Sequence, residues 1–333
     1  MAAPGMAHAS FSTGSRSHLL HASRGTCTSM YIALAMTGIF GLSKCHSGPT
    51  PVLRFNARVA FLMYHFGMAS PPLVTVVIPT YNRSNVLPYS IGSALNQSCS
   101  SIEVLVIGDG CTDDSQAVVE RIDDPRVRWI GLAKNSGHQS GPNNAGLAQA
   151  RGEFIAYLGH DDVWLPHHLQ ACVDRLNQGA DLAYALVLMI VEDKSVMLTP
   201  TSKQYTPGLW IPPSGMVHRK SVTADIGGWK HYTQTQRDPE VNLWRRAHNA
   251  GYKFAFVPRL SVIKIPAAMR KDVYKTRCTD EQTHWFKRIR TEPDLEANIL
   301  ALYCVGLHNL DLTKLTSNPM DLSIEEKRKY KGL

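Results

Sequence analysis

The stretch LVTVVIPTYNR, residues 73–83, decides the fold of this chain, because a run of β-branched residues ends at Pro79 and gives way to polar side chains. A continuous apolar run of this length is typical of a strand that is buried on both faces of a sheet. The segment that follows, 84–98, has apolar residues at helical spacing, and Ser84 is its predicted N-cap. One buried strand followed by one helix is the unit from which α/β proteins are built.

The same unit repeats along the chain from Pro71 to residue 190. Further strands are predicted at 102–108, 127–132, 153–159 and 180–190, and further helices at 112–122, 141–151 and 165–179. A helix over roughly 238–250 and a strand at 253–258 complete the pattern. The predicted fold class is therefore α/β, with a doubly wound, mainly parallel sheet flanked by helices.

The chain divides into three predicted regions. Residues 1–70 contain no Asp or Glu, and we predict a poorly structured or targeting extension there. The apolar run within it, 30–42, has 13 residues, and a membrane-spanning helix needs about 20. Residues 71–266 form the predicted α/β domain, and residues 267–333 form a mostly helical C-terminal extension.

The charge distribution argues against a nucleic-acid partner. The chain has 35 Lys and Arg against 27 Asp and Glu, a net charge of +8, and five of the basic residues lie in the acid-free segment 1–70. The remainder is only mildly basic, and its densest basic run, EEKRKYK at 325–331, also carries two acids. A nucleic-acid site needs cations clustered on one face.

The seven cysteines are scattered along the chain and form no CxxC pair. This usage predicts neither a disulfide framework nor a structural zinc site, and it favours a reducing, cytoplasmic compartment.

Three polar clusters follow three of the predicted strands: PTYNR at 79–83, GDGCTDD at 108–114 and GHDD at 159–162. In open α/β sheets, ligands bind at the carboxyl ends of the strands. We therefore expect the three clusters to meet in space and to form one site.

The acids in these clusters indicate two kinds of contact. Asp109 sits where a dinucleotide-binding turn would bring phosphate close, so it is better suited to ribose hydroxyls or a base N–H. Asp161 and Asp162 are adjacent, and such a pair suits Mg²⁺ or Mn²⁺, which take oxygen ligands and bridge phosphates. Two alternatives stay open: a solvated loop in which Asp162 caps a helix, and a metal-dependent hydrolase centre that uses His160 with Asp161.

Taken in order, the motifs resemble those of family-2 glycosyltransferases of the GT-A fold. The resemblance rests on four stretches and covers roughly residues 72–260: IPTYNR (78–83), VIGDGCTDDS (106–115), NSG…NNAGLAQARGEFIAYL (135–158) and GHDDVWLP (159–166). It implies a GT-A type domain that moves a sugar, with inversion, from a nucleotide-diphosphate sugar to an acceptor hydroxyl. UDP-sugars are the favoured donors, and Mn²⁺ or Mg²⁺ is the implied cofactor.

The resemblance also implies roles for individual residues. The residues implied to contact the nucleotide sugar are Pro79, Thr80, Tyr81, Arg83, Asp109, Asn144 and Asp161. Asp161 and Asp162 fall on the metal-and-donor motif, although Gly159 stands where the family often has its first acid.

A catalytic base is expected just before the helix near residue 240. By its distance from Leu243 and Trp244, Glu240 is the predicted base, and Asp238 is the second candidate, with a helix cap as its alternative role. Trp210 and Trp229 are interpreted as core residues rather than sugar platforms, and His218 as a core histidine.

The wider function that the resemblance implies is polysaccharide or glycoconjugate biosynthesis, with possible peripheral contact with a membrane. A noncatalytic nucleotide-sugar-binding module is the alternative from another class. In that alternative the missing acids mark decay of the site, and the presence of Asp109, Asp161, Asp162 and an acid near residue 240 argues against such decay.

Overall fold

The computed structural model describes residues 70–191, 196–235, 238–309 and 323–332. The predicted N-terminal extension lies, except for its last residue, outside the described residues. Its prediction therefore stays untested.

Within the described residues, nine strands form one mixed sheet. In chain order the strands are β1 (Val74–Thr80), β2 (Ile102–Asp109), β3 (Val127–Leu132), β4 (Phe154–Tyr157), β5 (Val163–Trp164), β6 (Leu182–Ile190), β7 (Val196–Thr199), β8 (Met216–Arg219) and β9 (Phe254–Lys264). Their spatial order is β3-β2-β1-β4-β8-β6-β9-β5, and β7 pairs with β6.

The sheet is parallel where the sequence pattern is most regular. Strand β1 pairs in parallel with β2 and β4, and its register places Thr80 beside Gly108. Strand β8 then inserts between β4 and β6 and is antiparallel to both. Since two reversals restore direction, β6 and its parallel partner β9 end at the same edge of the sheet as β1, β2 and β4. This shared edge is the one that the polar clusters follow.

Ten helices flank the sheet or follow it within the described residues. They are α1 (Leu87–Leu95), α2 (Ser115–Glu120), α3 (Ser140–Gln149), α4 (His168–Asn177), α5 (Lys220–Ile226), α6 (Pro239–Asn249), α7 (Val273–Thr276), α8 (Asp280–Thr291), α9 (Leu295–Asn309) and α10 (Ile324–Lys331). The predicted α/β fold class is confirmed, and the described part of 267–333 is mostly helical, as expected. None of the described helices is both long and apolar enough to cross a membrane.

The start of α1 differs from the prediction. The helix begins at Leu87, and its N-cap position is Val86 rather than Ser84. The Ser84 backbone N–H instead donates to Asp113 Oδ2 at 3.1 Å, and the Ser84 hydroxyl is bound by Arg277. These tertiary contacts hold Ser84 in the loop, so the prediction of Ser84 as the N-cap is wrong.

The core lies on both faces of the sheet. Alternate residues of a strand point to opposite faces, and Val76 and Ile78 pack in one cluster while Val77 packs in the other. All three side chains are fully buried. Full burial of one such side chain contributes about 1.5–3 kcal/mol, so the central strands stabilise the sheet from which the polar loops project.

His218 is a core residue, as predicted. It is fully buried on β8, its Nδ1 lies 2.8 Å from Arg219 O, and its Nε2 lies 3.1 Å from the Tyr157 hydroxyl. A carbonyl oxygen only accepts, so Nδ1 carries the proton. Burial lowers the pKa of His218 to about 4, which keeps the ring neutral.

Candidate active site

A cleft of about 280 Å³ opens at the carboxyl ends of the parallel strands. Each of the three polar clusters contributes to its lining. The sequence-predicted residues that line it are Pro79, Thr80, Tyr81, Asp109, Asp161, Asp162, Asp238 and Glu240. The predicted convergence of three strand ends on one site is therefore confirmed.

Asp161 follows β4 and is paired with a cation of the chain itself. Its Oδ1 accepts hydrogen bonds from Arg83 Nη2 at 2.6 Å and Arg83 Nε at 3.1 Å, and its Oδ2 lies 3.2 Å from His160 Nε2. Burial by itself raises the pKa of Asp161, but the charges and hydrogen bonds of His160 and Arg83 outweigh burial and hold it well below the ordinary value. Asp161 is thus an ionised, nearly buried carboxylate.

Asp162 has a separate set of partners. Its Oδ2 accepts from Ser214 Oγ at 2.6 Å and from Lys264 Nζ at 3.0 Å, and its Oδ1 accepts from Ile265 N at 3.0 Å. The side chain is 1% exposed. A Cβ at position 159 would lie 2.8 Å from Asp162 Oδ2, so Gly159 makes room for this orientation of the carboxylate.

Asp109 lies at the end of β2 and is held by the loop that follows β3. Both of its carboxylate oxygens accept from Ser136 N, at 3.0 and 3.1 Å, and Oδ2 also accepts from Ser136 Oγ at 3.0 Å. Burial raises the pKa of Asp109, although Ser136 and the charge of Arg328 oppose the shift. Gly110 follows with a φ of +68°, and a Cβ there would meet Asn135 N at 2.4 Å, so only glycine fits this turn.

Glu240 lies in the first turn of α6, with Pro239 before it. It is 7% exposed, and each of its oxygens faces an N–H group at 3.3 Å: Trp210 Nε1 on Oε1 and Gln139 Nε2 on Oε2. Burial and the neighbouring charge of Asp238 raise the pKa of Glu240, while Trp210 and the charge of Lys264 act in the opposite direction. A carboxylate with a raised pKa that faces a cleft is suited to accept a proton.

Asp238 occupies the N-cap position of α6, but its side chain makes no capping hydrogen bond to the helix. The helix-cap alternative is therefore wrong for its side chain. The interpretation of Trp210 as core is also wrong, because this residue lines the cleft. Trp229, which is 3% exposed, is a core residue as predicted.

Two predicted nucleotide-binding residues do not line the cleft. Arg83 is 1% exposed and lies behind Asp161, where its Nη1 donates to Val273 O at 2.9 Å. The Asn144 amide is bound to the backbone of Trp229, with both hydrogen bonds at 2.9 Å. Nucleotide contact by either residue stays a prediction, and these hydrogen bonds do not support it.

Several lining residues were missed by the sequence reasoning. Lys264 reaches the cleft because β9 continues to it, six residues beyond the predicted strand end at 258. The β-branched residues in SVIKIP, 261–266, were the available signal for this longer strand. Gln139 enters from the N-cap position of α3, and Arg328 and Lys331 enter from α10. No sequence pattern connects these three residues to the site.

The donor atoms that face the cleft fit a divalent metal that shares its coordination with a substrate. Asp161 Oδ2 and His160 Nε2 lie 3.2 Å apart at the cleft, close enough for a bound cation to replace their mutual contact, whereas the oxygens of Asp162 are engaged by Ser214, Lys264 and Ile265. Mg²⁺ is usually held by one or two carboxylates together with substrate phosphates rather than by a full protein cage. In the part of the chain that the structure describes, no three His, Cys, Asp or Glu side chains are grouped to hold a metal.

The architecture defines the class of protein. The fold is that of GT-A type glycosyltransferases: the crystal structure of S. aureus TarS 1-349 in complex with UDP matches with a TM-score of 0.50 and 17% identity, over 77% of each chain. Residues 75–257 match the glycosyl transferase family 2 profile, more than half of the sequence, and the chain belongs to that family. The resemblance seen in the sequence motifs is thereby confirmed.

Curated relatives match part of this chain. An uncharacterized glycosyltransferase of Nostoc sp. is 32% identical over 171 residues, 46% of this chain and 52% of that protein. The succinoglycan biosynthesis protein ExoO of Rhizobium meliloti is 41% identical over 113 residues, 34% of this chain and 32% of that protein. A Campylobacter jejuni GalNAc(5)-diNAcBac-PP-undecaprenol beta-1,3-glucosyltransferase is 35% identical over 113 residues, 32% of this chain and 36% of that protein. The chain thus spans about half or less of each relative.

Proposed function

We propose that this chain transfers a sugar, with inversion at the anomeric carbon, from a nucleotide-diphosphate sugar to an acceptor hydroxyl. The observation that carries the proposal is the position of Glu240, a buried carboxylate held from both sides, in the same cleft as Asp109 and Asp161. Membership of glycosyl transferase family 2 supports the reaction class. The names of the relatives support a place in polysaccharide or glycoconjugate biosynthesis.

The nucleotide end of the donor lies near Asp109, Thr80 and Tyr81 in this proposal. Thr80 Oγ1 is buried at the cleft and has no hydrogen-bond partner among the described residues. A buried hydroxyl of this kind is normally satisfied, so a ligand contact there accounts for it. UDP is the favoured nucleotide, and the TarS complex with UDP is in keeping with that choice.

When Mn²⁺ or Mg²⁺ is bound, it neutralises the charge of the diphosphate as a Lewis acid. Asp161, through Oδ2, and His160 are the residues that we propose to hold it. Asp162 was predicted as a second ligand, and its hydrogen bonds favour a different role, the positioning of Lys264 at the cleft.

Glu240 accepts the proton of the acceptor hydroxyl as that oxygen attacks the anomeric carbon. Trp210 and Gln139 fix the direction of its two oxygens. A fixed base and a fixed donor lower the barrier because the reacting groups are already aligned. Asp238 raises the pKa of Glu240, so we assign Asp238 the role of tuning the base.

We further propose that the protein works in the cytoplasm, in peripheral contact with a membrane. The five described cysteines, 99, 111, 172, 278 and 304, are free thiols, as a reducing compartment allows.

The experiment that tests the proposed function is calorimetric titration with a panel of nucleotide sugars, with and without Mn²⁺, followed by a donor-hydrolysis assay. We expect tight binding of one nucleotide class, tighter with Mn²⁺, and slow release of the nucleoside diphosphate. Absence of binding to every member of the panel would contradict the proposal. Binding with no turnover, even with added acceptors, would instead identify a noncatalytic binding module.

A further inference from the structure

The C-terminal helix α10 lies against the cleft and contains the basic run EEKRKYK, 325–331. The sequence analysis assigned no function to this run. Its residue Arg328 donates a hydrogen bond to Gly137 O, in the loop that follows β3. At the other side, Tyr330 O accepts from Asp272 N at 3.1 Å, in the segment that follows β9. The helix therefore connects the two walls between which Asp109 and Asp161 lie.

One face of α10 lines the cleft. Ile324, Arg328 and Lys331 are spaced by four and three residues, which places them on the same side of a helix, and all three line the cleft. Lys329 and Glu325 are exposed. Of the charged residues in EEKRKYK, the helix thus turns Arg328 and Lys331 towards the cleft.

The charge of Arg328 is available to a ligand. Its hydrogen bond goes to the neutral carbonyl oxygen of Gly137, and in the described parts of the chain no carboxylate lies within 4.0 Å of its guanidinium. By contrast, Lys264, which also lines the cleft, is bound to Asp162 at 3.0 Å. The positive charge of Arg328 acts on both sides of the cleft. It lowers the pKa of Asp109 and that of Tyr274, although burial has the larger effect and raises both.

We propose that α10 is part of the donor site and that Arg328, together with Lys331, binds the diphosphate of the nucleotide sugar. A guanidinium forms two parallel hydrogen bonds with phosphate oxygens, and an ammonium adds a second positive charge. Such cations would add to the charge of a metal, because within the segment 159–162 Gly159 has no carboxylate and the oxygens of Asp162 are engaged, which leaves Asp161 to face the metal. This inference rests on the proposed function, since it assigns residues to the diphosphate of that donor.

The test is calorimetric titration of the full chain in EDTA with UDP and, separately, with uridine. If the wild-type chain prefers GDP or dTDP, that nucleotide and its nucleoside are the probes. The variants are Arg328→Ala, Lys331→Ala and, as the matched control on the opposite face of the same helix, Lys329→Ala. Thermal melting of each variant checks that the fold is kept.

We expect Arg328→Ala to weaken the binding of UDP by about tenfold or more, the usual effect of losing a charge-assisted hydrogen bond. Lys331→Ala weakens it to a smaller degree, and both variants bind uridine as the wild-type chain does. Arg328→Lys recovers part of the lost affinity, and Lys329→Ala has no effect on either probe. The salt dependence of UDP binding is smaller in Arg328→Ala than in the wild-type chain.

Three results would overturn the proposal. Binding of UDP by both variants within twofold of the wild-type affinity shows that α10 does not contact the diphosphate. An equal loss for UDP and uridine shows a purely structural role, and a gain in affinity shows that the helix obstructs the site. If the wild-type chain binds UDP only with Mn²⁺ added, the same variants are compared in Mn²⁺. If it binds no nucleoside diphosphate even then, the proposed function itself fails, and that outcome is distinct from these three.

Discussion

At the residue scale, the adjacent carboxylates Asp161 and Asp162 are tolerated because each has its own cation. Arg83 binds the first at 2.6 Å and Lys264 binds the second at 3.0 Å. Burying two like charges without partners is costly, so the chain supplies both partners before any ligand arrives. The metal that we propose therefore has only to balance the negative charge of the donor diphosphate.

The buried pair of Arg83 and Asp161 leads to a stability prediction. Both side chains are nearly inaccessible, so Arg83→Met leaves the buried Asp161 carboxylate without its guanidinium partner, although His160 stays 3.2 Å from Oδ2. We expect the free energy of unfolding, measured in urea near pH 7, to fall by about 3–5 kcal/mol. The double variant Arg83→Met/Asp161→Leu is the control and recovers most of the loss, because no unpaired charge remains. A loss below about 1 kcal/mol in the single variant, the usual worth of a surface pair, would contradict the assignment.

The raised pKa of Glu240 leads to a prediction about pH. A general base works only when it is deprotonated, so kcat/KM falls as pH drops through the pKa of Glu240. The midpoint of this acid limb therefore lies above 4.5, the ordinary value for a glutamate. In Asp238→Asn the limb moves to lower pH, because the negative charge that raises the pKa is gone. The measurement is kcat/KM against pH. An acid limb that stays in place in this variant would show that Asp238 does not raise the pKa of the base.

The sequence identified these acids but not their partners. Asp109, Asp161 and Glu240 stand beside strand ends or a helix start, which local patterns reveal. Arg83 and Lys264 lie 78 and 102 residues away from their carboxylates, and nothing in a single sequence connects positions so far apart. The metal role of Asp162 was inferred from a motif, and only the three-dimensional contacts show that its oxygens are engaged.

At the scale of secondary-structure elements, the central strands were predictable and the connections were not. Strands β1, β2 and β3 are buried or half-buried β-branched runs, and each was predicted to within about one residue. The antiparallel strand β8 and helix α5 come from the continuous segment MVHRKSVTADI, whose apolar residues follow neither period clearly. Helix α1 begins late because Asp113 and Arg277 hold Ser84 in the loop.

The turn between β4 and β5 allows a prediction about Gly159. The substitution Gly159→Asp restores the acid that the family often has there, but its Cβ would lie 2.8 Å from Asp162 Oδ2. We expect it to lower the free energy of unfolding by about 1–3 kcal/mol, the usual cost of overpacking a closed site, and to leave binding of Mn²⁺ no tighter. Calorimetry of Mn²⁺ binding and urea denaturation measure the two effects.

Gly306→Ala is the matched control for this change. A Cβ at Gly306, in helix α9, meets nothing within 4 Å, so alanine is expected to stabilise the chain by up to about 1 kcal/mol. Tighter Mn²⁺ binding by Gly159→Asp, with no loss of stability, would show that the turn accommodates the acid and that Asp162 moves.

At the scale of the whole molecule, the family match ends at residue 257, and the remainder of the chain supplies part of the same cleft. Lys264 follows from the end of β9, Tyr274 from α7, and Arg328 from α10. The order of the motifs along the chain thus predicts the general reaction, whereas the C-terminal helices contribute residues that the motifs do not describe. Their positions depend on packing between distant segments, which a local pattern does not reveal.

The central claim is that Glu240 is the base of a sugar transfer in this cleft, and one comparison tests it most directly. With the nucleotide sugar that the wild-type chain binds best, turnover and donor affinity are measured for Glu240→Gln, with Asp238→Asn as its matched control two residues away. We expect Glu240→Gln to reduce kcat by about 10²–10⁴-fold, as for loss of a general base, with the Kd of the donor unchanged and Asp238→Asn active. Wild-type turnover in Glu240→Gln, or loss of turnover confined to Asp238→Asn, would contradict the account.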